Sequence, residues 1–447
     1  AVDQFLSFLF IPAPASIYNE IKKLPPAHYL LCTERGVSVR EYWDVPLPPE
    51  GDEDCVDEPR LRDCLKEAVR MQLRSDVPVG AFLSGGIDST AVVDAMVESL
   101  GPGIVTCSVG FAEEGYSELP YASMVAQHLG SLHQESVVEA PGPEMIERLC
   151  WHFDEPFADS SAVPTWAVSG LARRRVKVAL SGDGGDELFG GYRRHAIEMW
   201  EHNLREYGPW GPWAAAKLAG ALPISFRGRN TLLRLGVPPD QACALKFQFA
   251  SGADEFKAGI YSEAFRDEAA KGDALEPFRR AFQRAAAADP INRILYVDLK
   301  TSLADDMLVK VDRMSMAHGL EVRAPYLDHR LVELVARLPG SAKLPRPAAK
   351  PLLRSMLNGR IPHGAWDRPK HGFTAPIGSW LRTGLRGYVE EVLFSPSSLG
   401  AQLFDKKRLR RLWQEHLAGR KNSHHELWML LMLEVWHRTH ARRRALA

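Results

Sequence analysis

The sequence predicts an α/β protein: a doubly wound parallel sheet followed by a mostly helical region. Three observations point there. Short apolar runs alternate with helical patterns from Glu58 to about Tyr192, the order that builds parallel βαβ units. Two of those runs end in the same dipeptide, Ser84-Gly85 and Ser181-Gly182, and sheets of this kind bind ligands at the carboxyl ends of their strands. Beyond Tyr192 strand patterns fade, and segments 291–303, 330–338 and 426–437 carry apolar residues at helical spacing.

Taken in order, residues 5–12 are apolar but end in proline and lack a basic leader, so they do not read as a signal peptide. Residues 22–31 and 37–43 alternate apolar and polar like two paired strands, with Gly36 at the turn. A lone hairpin is marginal in water, so this one has to pack on something. Residues 46–54 are proline-rich, acidic and aperiodic, the signature of a linker. From Glu58 onward Leu61, Leu65, Ala68, Val69 and Leu73 share one helical face. A strand ending at Leu83 follows, then a glycine turn and a helix over 90–100. Further strands are expected at 104–110, 134–138 and 176–180, with helices at 121–129, 144–153 and 163–174. The division is therefore 1–45, a linker 46–57, and 58–447, the last made of an α/β core (58–200) and a helical region (201–447).

Composition narrows the function. The net charge of −1 offers no basic footprint for nucleic acid. No apolar run is long enough to span a bilayer. Cys32, Cys55, Cys64, Cys107, Cys150 and Cys243 are scattered without a Cys-x-x-Cys pair, which fits reduced thiols in a cytoplasm and neither a disulfide frame nor a zinc site.

Residues 84–89, Ser-Gly-Gly-Ile-Asp-Ser, carry the first chemical signal. Adjacent glycines let backbone approach a ligand, and the free N–H groups of a helix start, with the Ser84 and Ser89 hydroxyls, form a nest for a polyanion. No Walker-type Gly-x-x-x-x-Gly-Lys-Ser/Thr occurs. The second signal is Ser181-Gly-Asp-Gly-Gly-Asp-Glu187. Two such loops can face one ligand across the sheet edge, and Asp88 with Asp186 form a candidate Mg²⁺ pair, since this hard ion takes carboxylates together with phosphate oxygens and water. Alone, either loop is also explained as an Asp-capped turn.

Residues 84–89 resemble the pyrophosphate loop of the ATP pyrophosphatases. Together with 181–192, 305–328 and Arg368-Pro-Lys-His-Gly-Phe373 they resemble the synthetase domain of glutamine-dependent asparagine synthetases. Lys23-Leu-Pro-Pro-Ala-His-Tyr and Glu41-Tyr-Trp resemble the tail of that family's glutaminase domain. Asp154-Glu-Pro-Phe-Ala-Asp-Ser-Ser and Ser181-Gly-Asp-Gly-Gly-Asp are similar to bacterial members, including amidotransferases of exopolysaccharide and exosortase gene clusters. The resemblance implies that ATP and Mg²⁺ activate a carboxylate, with L-aspartate the first expectation, as an acyl-adenylate that ammonia converts to an amide. It implies AMP contacts from Leu83, Val109, Ser181 and Gly182, and pyrophosphate contacts from Ser84, Gly85, Gly86, Asp88 and Ser89. Lys370 matches the lysine that stabilises the pentavalent transition state. Asp183 stands where many relatives have a glutamate that handles ammonia. Residue 1 is alanine where family glutaminases have a nucleophilic cysteine, and Cys32 lies inside an expected strand. The chain is accordingly expected to be the synthetase part of a longer protein, without glutaminase activity of its own, taking nitrogen as ammonia or from a separate glutaminase.

The remaining candidates are weaker. Lys310, Asp312, Arg313, Glu321 and Arg323 are expected partly as acceptor contacts, because a dicarboxylic acid needs a cation, and equally as structural ion pairs. Glu187 reads as a helix-start acid. His424-His425 reads as no metal site, since adjacent histidines on a helix are expected to diverge. Residues 442–444, three arginines, read as a solvated end after a helix. Competing functions are the same chemistry on a sugar acid or peptide, a ring-closing ligase, an RNA-modifying pyrophosphatase, and a non-catalytic ATP-binding module. The partners expected are small molecules, with no nucleic acid and no membrane; a homodimer is left open.

Overall fold

The computed structural model describes residues 1–113, 115–207, 211–222, 226, 228–250, 252–344, 350–362, 364 and 372–446. Its centre is a five-stranded sheet in the order β5-β4-β3-β6-β7, with β3 at Val79–Phe82, β4 at Val105–Phe111, β5 at Leu132–Val138, β6 at Val178–Leu180 and β7 at Glu321–Arg323. Every neighbouring pair is parallel. The doubly wound sheet expected from the alternating pattern is present. The chain runs outward from β3 through β4 to β5, then returns to place β6 on the other side of β3. That reversal makes the carboxyl ends of β3 and β6 the switch point where a crevice opens.

The helices form where the spacing called for them, and two of their starts move to prolines. Helix α1 is Val2–Phe8, and α2 is Glu58–Gln72, whose Asp57 carboxylate caps Arg60 N–H at 3.0 Å. Next come α3 (Ile87–Leu100), α4 (Leu119–Leu129), α5 (Pro143–Phe153) and α6 (Ala162–Arg173). In α4 and α5 a proline occupies the first turn, where its missing N–H has no helical partner to lose. The rows α2–α3–α4 and α6 with the helix Leu308–Met316 pack around the sheet, α4 and α6 both lying against β4 and β5.

Two features depart from the expected pattern. Strand patterning fades after Tyr192, yet β7 forms at 321–323 and pairs with β6; three residues are too few to show a period, and β6 supplies the partner. The final helix runs His424–Leu446, through the three arginines rather than ending before them.

The first residues split in two. Phe5, Leu6, Phe8, Phe10 and Ile11 are buried in the main core. The antiparallel hairpin β1 (His28–Thr33) and β2 (Gly36–Glu41) stands out from it, with Val37 64% and Tyr42 69% exposed. Gly36, at φ +120°, turns the chain between its strands. Among the described residues no helix is long and apolar enough to cross a membrane.

Candidate active site

At the carboxyl ends of β3, β4 and β6 lies a cleft of about 480 Å³. Its first wall is the turn from β3 into α3. Gly85 sits at φ +74°, and a Cβ there would lie 2.6 Å from the Tyr121 carbonyl carbon, so only glycine fits. Gly86 caps α3 without any side-chain bond to the helix N–H groups, which leaves the positive end of a 14-residue helix open toward the cleft. Ser84 and Ser89 are held ready beside it, their hydroxyl oxygens 3.1 Å apart.

The second wall is the turn from β6 into α7 (Gly185–Phe189). Ser181 N–H donates to Arg323 O at 2.9 Å, so β7 fixes where this turn begins. Glycines let the two turns close on each other. A Cβ on Gly182 would lie 2.9 Å from Ser89 N, and one on Gly185 2.6 Å from Asp88 Oδ1. The outcome is that Asp88 and Asp186 converge on one cation, the Lys350 ammonium, 2.5 Å from an oxygen of each. Burial opposes the charge on Lys350, but Asp186 and Asp88 outweigh it and hold the ammonium above its usual pKa. Sequence spacing offered no sign of Lys350. Nothing in Ala-Ala-Lys-Pro marks a site, and Asp88 is 262 residues away.

The deep wall carries Asp159, Ser161, Asp183, Tyr192, Met307 and Lys310. Lys310 donates to Asp159 Oδ2 at 2.8 Å, Ser161 Oγ at 2.7 Å and Met307 Sδ at 3.2 Å. Burial works against ionising Asp159, yet Lys310 beside it holds its pKa below the usual carboxylate value. At Asp183 burial wins over the opposing Ser181 hydrogen bond and Lys310 charge and pushes the carboxyl up. Burial, then Asp186 and Asp298, push Glu187 to about 8 while Tyr192 donates to it at 2.7 Å.

Residues 60–438 match the family model described as asparagine synthase. The chain belongs to the asparagine synthase family. It is 30% identical over 440 residues to the glutamine-hydrolyzing asparagine synthetase 1 of Bacillus subtilis (strain 168), covering 98% of this chain and 68% of that protein. Against a putative glutamine-hydrolyzing asparagine synthetase of Mycobacterium tuberculosis (strain ATCC 25618 / H37Rv) it is 32% identical over 454 residues, covering 98% and 67%. The amidase chry2 of Gibberella zeae is more distant, 24% identical over 435 residues, covering 85% and 62%. The chain thus spans about two thirds of the length of the first two.

Within this asparagine synthase domain, the cleft gathers Leu83, Ser84, Gly86, Asp88, Ser89, Val109, Ser181, Gly182, Asp183, Asp186 and Lys310, with Gly85 inside the same turn. It does not gather the other acceptor candidates. Asp312 is exposed. Arg313 pairs with Asp154 at 3.2 Å on the surface. Glu321 and Arg323 pair with each other at 2.6 Å in β7, where Arg323 also reaches Arg74 O at 2.9 Å; they brace the sheet edge. Lys370 lies outside the described residues. The rings of His424 and His425 lie 4.0 Å apart rather than diverging, but among the described residues no third ligand joins them.

Proposed function

We propose that this chain is an ATP-dependent ligase that adenylates a carboxylate, the L-aspartate side chain first among candidates, and passes ammonia to it to give the amide, asparagine. The carrying observation is the convergence of Asp88 and Asp186 on one cation beside the open N-terminus of α3. Two carboxylates with phosphate oxygens and water are the donor set Mg²⁺ prefers, and among the described residues no third acid, histidine or cysteine joins the pair as a ligand. Mg²⁺ bound there with nucleotide would neutralise the charge of the departing pyrophosphate.

A carboxylate cannot be attacked by ammonia directly, because the leaving group would be oxide. Its oxygen instead attacks the α-phosphorus of ATP. The α3 N–H groups and the Ser84 and Ser89 hydroxyls hold the β- and γ-phosphates in line for departure. Lys350 and Lys370 meet the negative charge that develops, Lys370 at the pentavalent phosphorus. Ammonia then displaces AMP from the acyl carbon. Asp183, whose carboxyl burial pushes up, guides it in this reading.

One observation favours a second acceptor class, a sugar acid or peptide carboxylate. All three N–H groups of Lys310 already have partners, so its charge is not waiting for a second carboxylate. For the exposed hairpin β1–β2 we propose membership of a glutaminase-type domain, which its apolar side chains, open to solvent, support. The deciding experiment is ATP–pyrophosphate exchange with Mg²⁺, with and without L-aspartate and without ammonia. Aspartate-dependent exchange, lost in Lys370→Ala while ATP still binds, supports the reading. Exchange with a sugar acid or peptide alone moves it to the second class.

A further inference from the structure

Beside Lys310, behind the residues that line the cleft, lies a buried carboxyl group, Asp306, with one oxygen that has no hydrogen-bond partner among the described residues. The turn Leu303–Met307 is a single π turn, a local widening that recurs at functional sites, and it sends two successive acids in different directions. Asp305 faces the first residues, its Oδ2 accepting from Ala13 N–H at 2.8 Å. Asp306 faces inward to Asp159, Lys310 and Arg194. It is 8% exposed, and its Oδ1 has no hydrogen-bond partner among the described residues. Lys310 cannot serve it, having spent its three N–H groups on Asp159, Ser161 and Met307. Arg194 directs its Nε at 2.9 Å and an Nη to Asp298. An orphaned buried carboxylate is strongly unfavourable, so this acceptor is built for something that arrives.

Resting on the ligase reading above, we propose that Asp306 is the subsite that takes the nitrogen donor, as an ammonium ion, at the back of the cleft. The ligand is a small monovalent cation with several N–H groups. Ammonium must shed a proton before it has a lone pair to offer. Burial and the neighbouring Asp159 favour the uncharged form of Asp306, the direction transfer requires. Any proton the acid carries leaves to solvent as ammonium enters. One ammonium N–H bond then breaks, its proton passing to the Asp306 carboxylate, and ammonia forms. The ammonia lone pair makes the C–N bond to the acyl carbon, the C–O bond to AMP breaks with its electrons on the phosphate, and the surplus nitrogen proton leaves to water.

The test compares two nucleophiles. Asp306→Asn removes the charge at nearly constant shape. With saturating ATP and acceptor, its KM for ammonium chloride should rise at least tenfold. Hydroxylamine, largely uncharged at neutral pH, should react within threefold of wild type, as should ATP–pyrophosphate exchange. Equal losses for both nucleophiles, or no change in either because only a bound water fills the acceptor, would overturn the proposal. Should Asn abolish exchange, the same comparison on Asp306→Glu decides, and equal loss there also overturns it. Absence of exchange in the wild type would instead sink the ligase reading.

Discussion

Lys343 is a cation held where water does not reach. It is 1% exposed and donates to Asn292 Oδ1. Burial pushes its ammonium down to about 7, with Asp289 and Glu53 acting the other way, whereas an unfolded chain gives about 10.4. Between those values the unfolded state binds more protons than the native one, so stability rises with pH across that window. Lys343→Met should therefore exceed wild type in urea midpoint most at pH 6.5, with the gap narrowing by pH 9. A constant gap would show that Lys343 titrates normally. Single residues were legible where they mark a local backbone need. Ser84, Gly85, Gly86 and Asp88 announce a tight glycine turn into a helix start. Lys350, Lys343 and Asp306 were not legible, because each takes its meaning from partners that only the tertiary fold brings near.

At the scale of elements, the site depends on two strand-to-helix turns touching. Gly182→Ala places a Cβ 2.9 Å from Ser89 N and 3.1 Å from Asp88 Cβ, contacts too close to keep. Overpacking of this kind costs about 1–3 kcal/mol. Most of that should fall on the cleft, since β6 itself is held by β3 and β7. We expect ATP affinity, measured by calorimetry, to drop about tenfold, while the Cys107 neighbourhood in β4 keeps its hydrogen-exchange protection. Loss of both would mean that the turn carries the fold as well. The same scale shows where pattern reading stops. Strands β3, β4 and β6 are apolar runs bounded by turn residues, and they could be read. The π turn at 303–307 differs from an α-turn only in hydrogen-bond register, which no residue type encodes. Strand β7 is an edge recruited by its neighbour.

Across the whole molecule, protection should be uneven. Strand β4 is buried along nearly its full length, whereas β1 and β2 are exposed along theirs. The hairpin is tied at its base, where Arg284 reaches Glu41 at 2.9 Å and Lys300 reaches Asp44 at 3.0 Å, pairs half open to water and individually weak. Amides of 28–41 should exchange with deuterium at least a hundredfold faster than those of β4; matched rates would mean that something covers the hairpin in solution. The bridge from Lys350 to Asp88 and Asp186 reaches further. A tethered ammonium makes divalent-ion uptake an exchange of counter-ions. If the pair takes Mg²⁺ as proposed, the free ion would have to evict the lysine without recompense, whereas Mg²⁺ arriving with nucleotide would offer it new phosphate oxygens. Titrating Mg²⁺ alone should give little heat with wild type and a measurable isotherm with Lys350→Met. The protein would thus ignore the bare ion that surrounds it and respond only to the ion carried by its fuel.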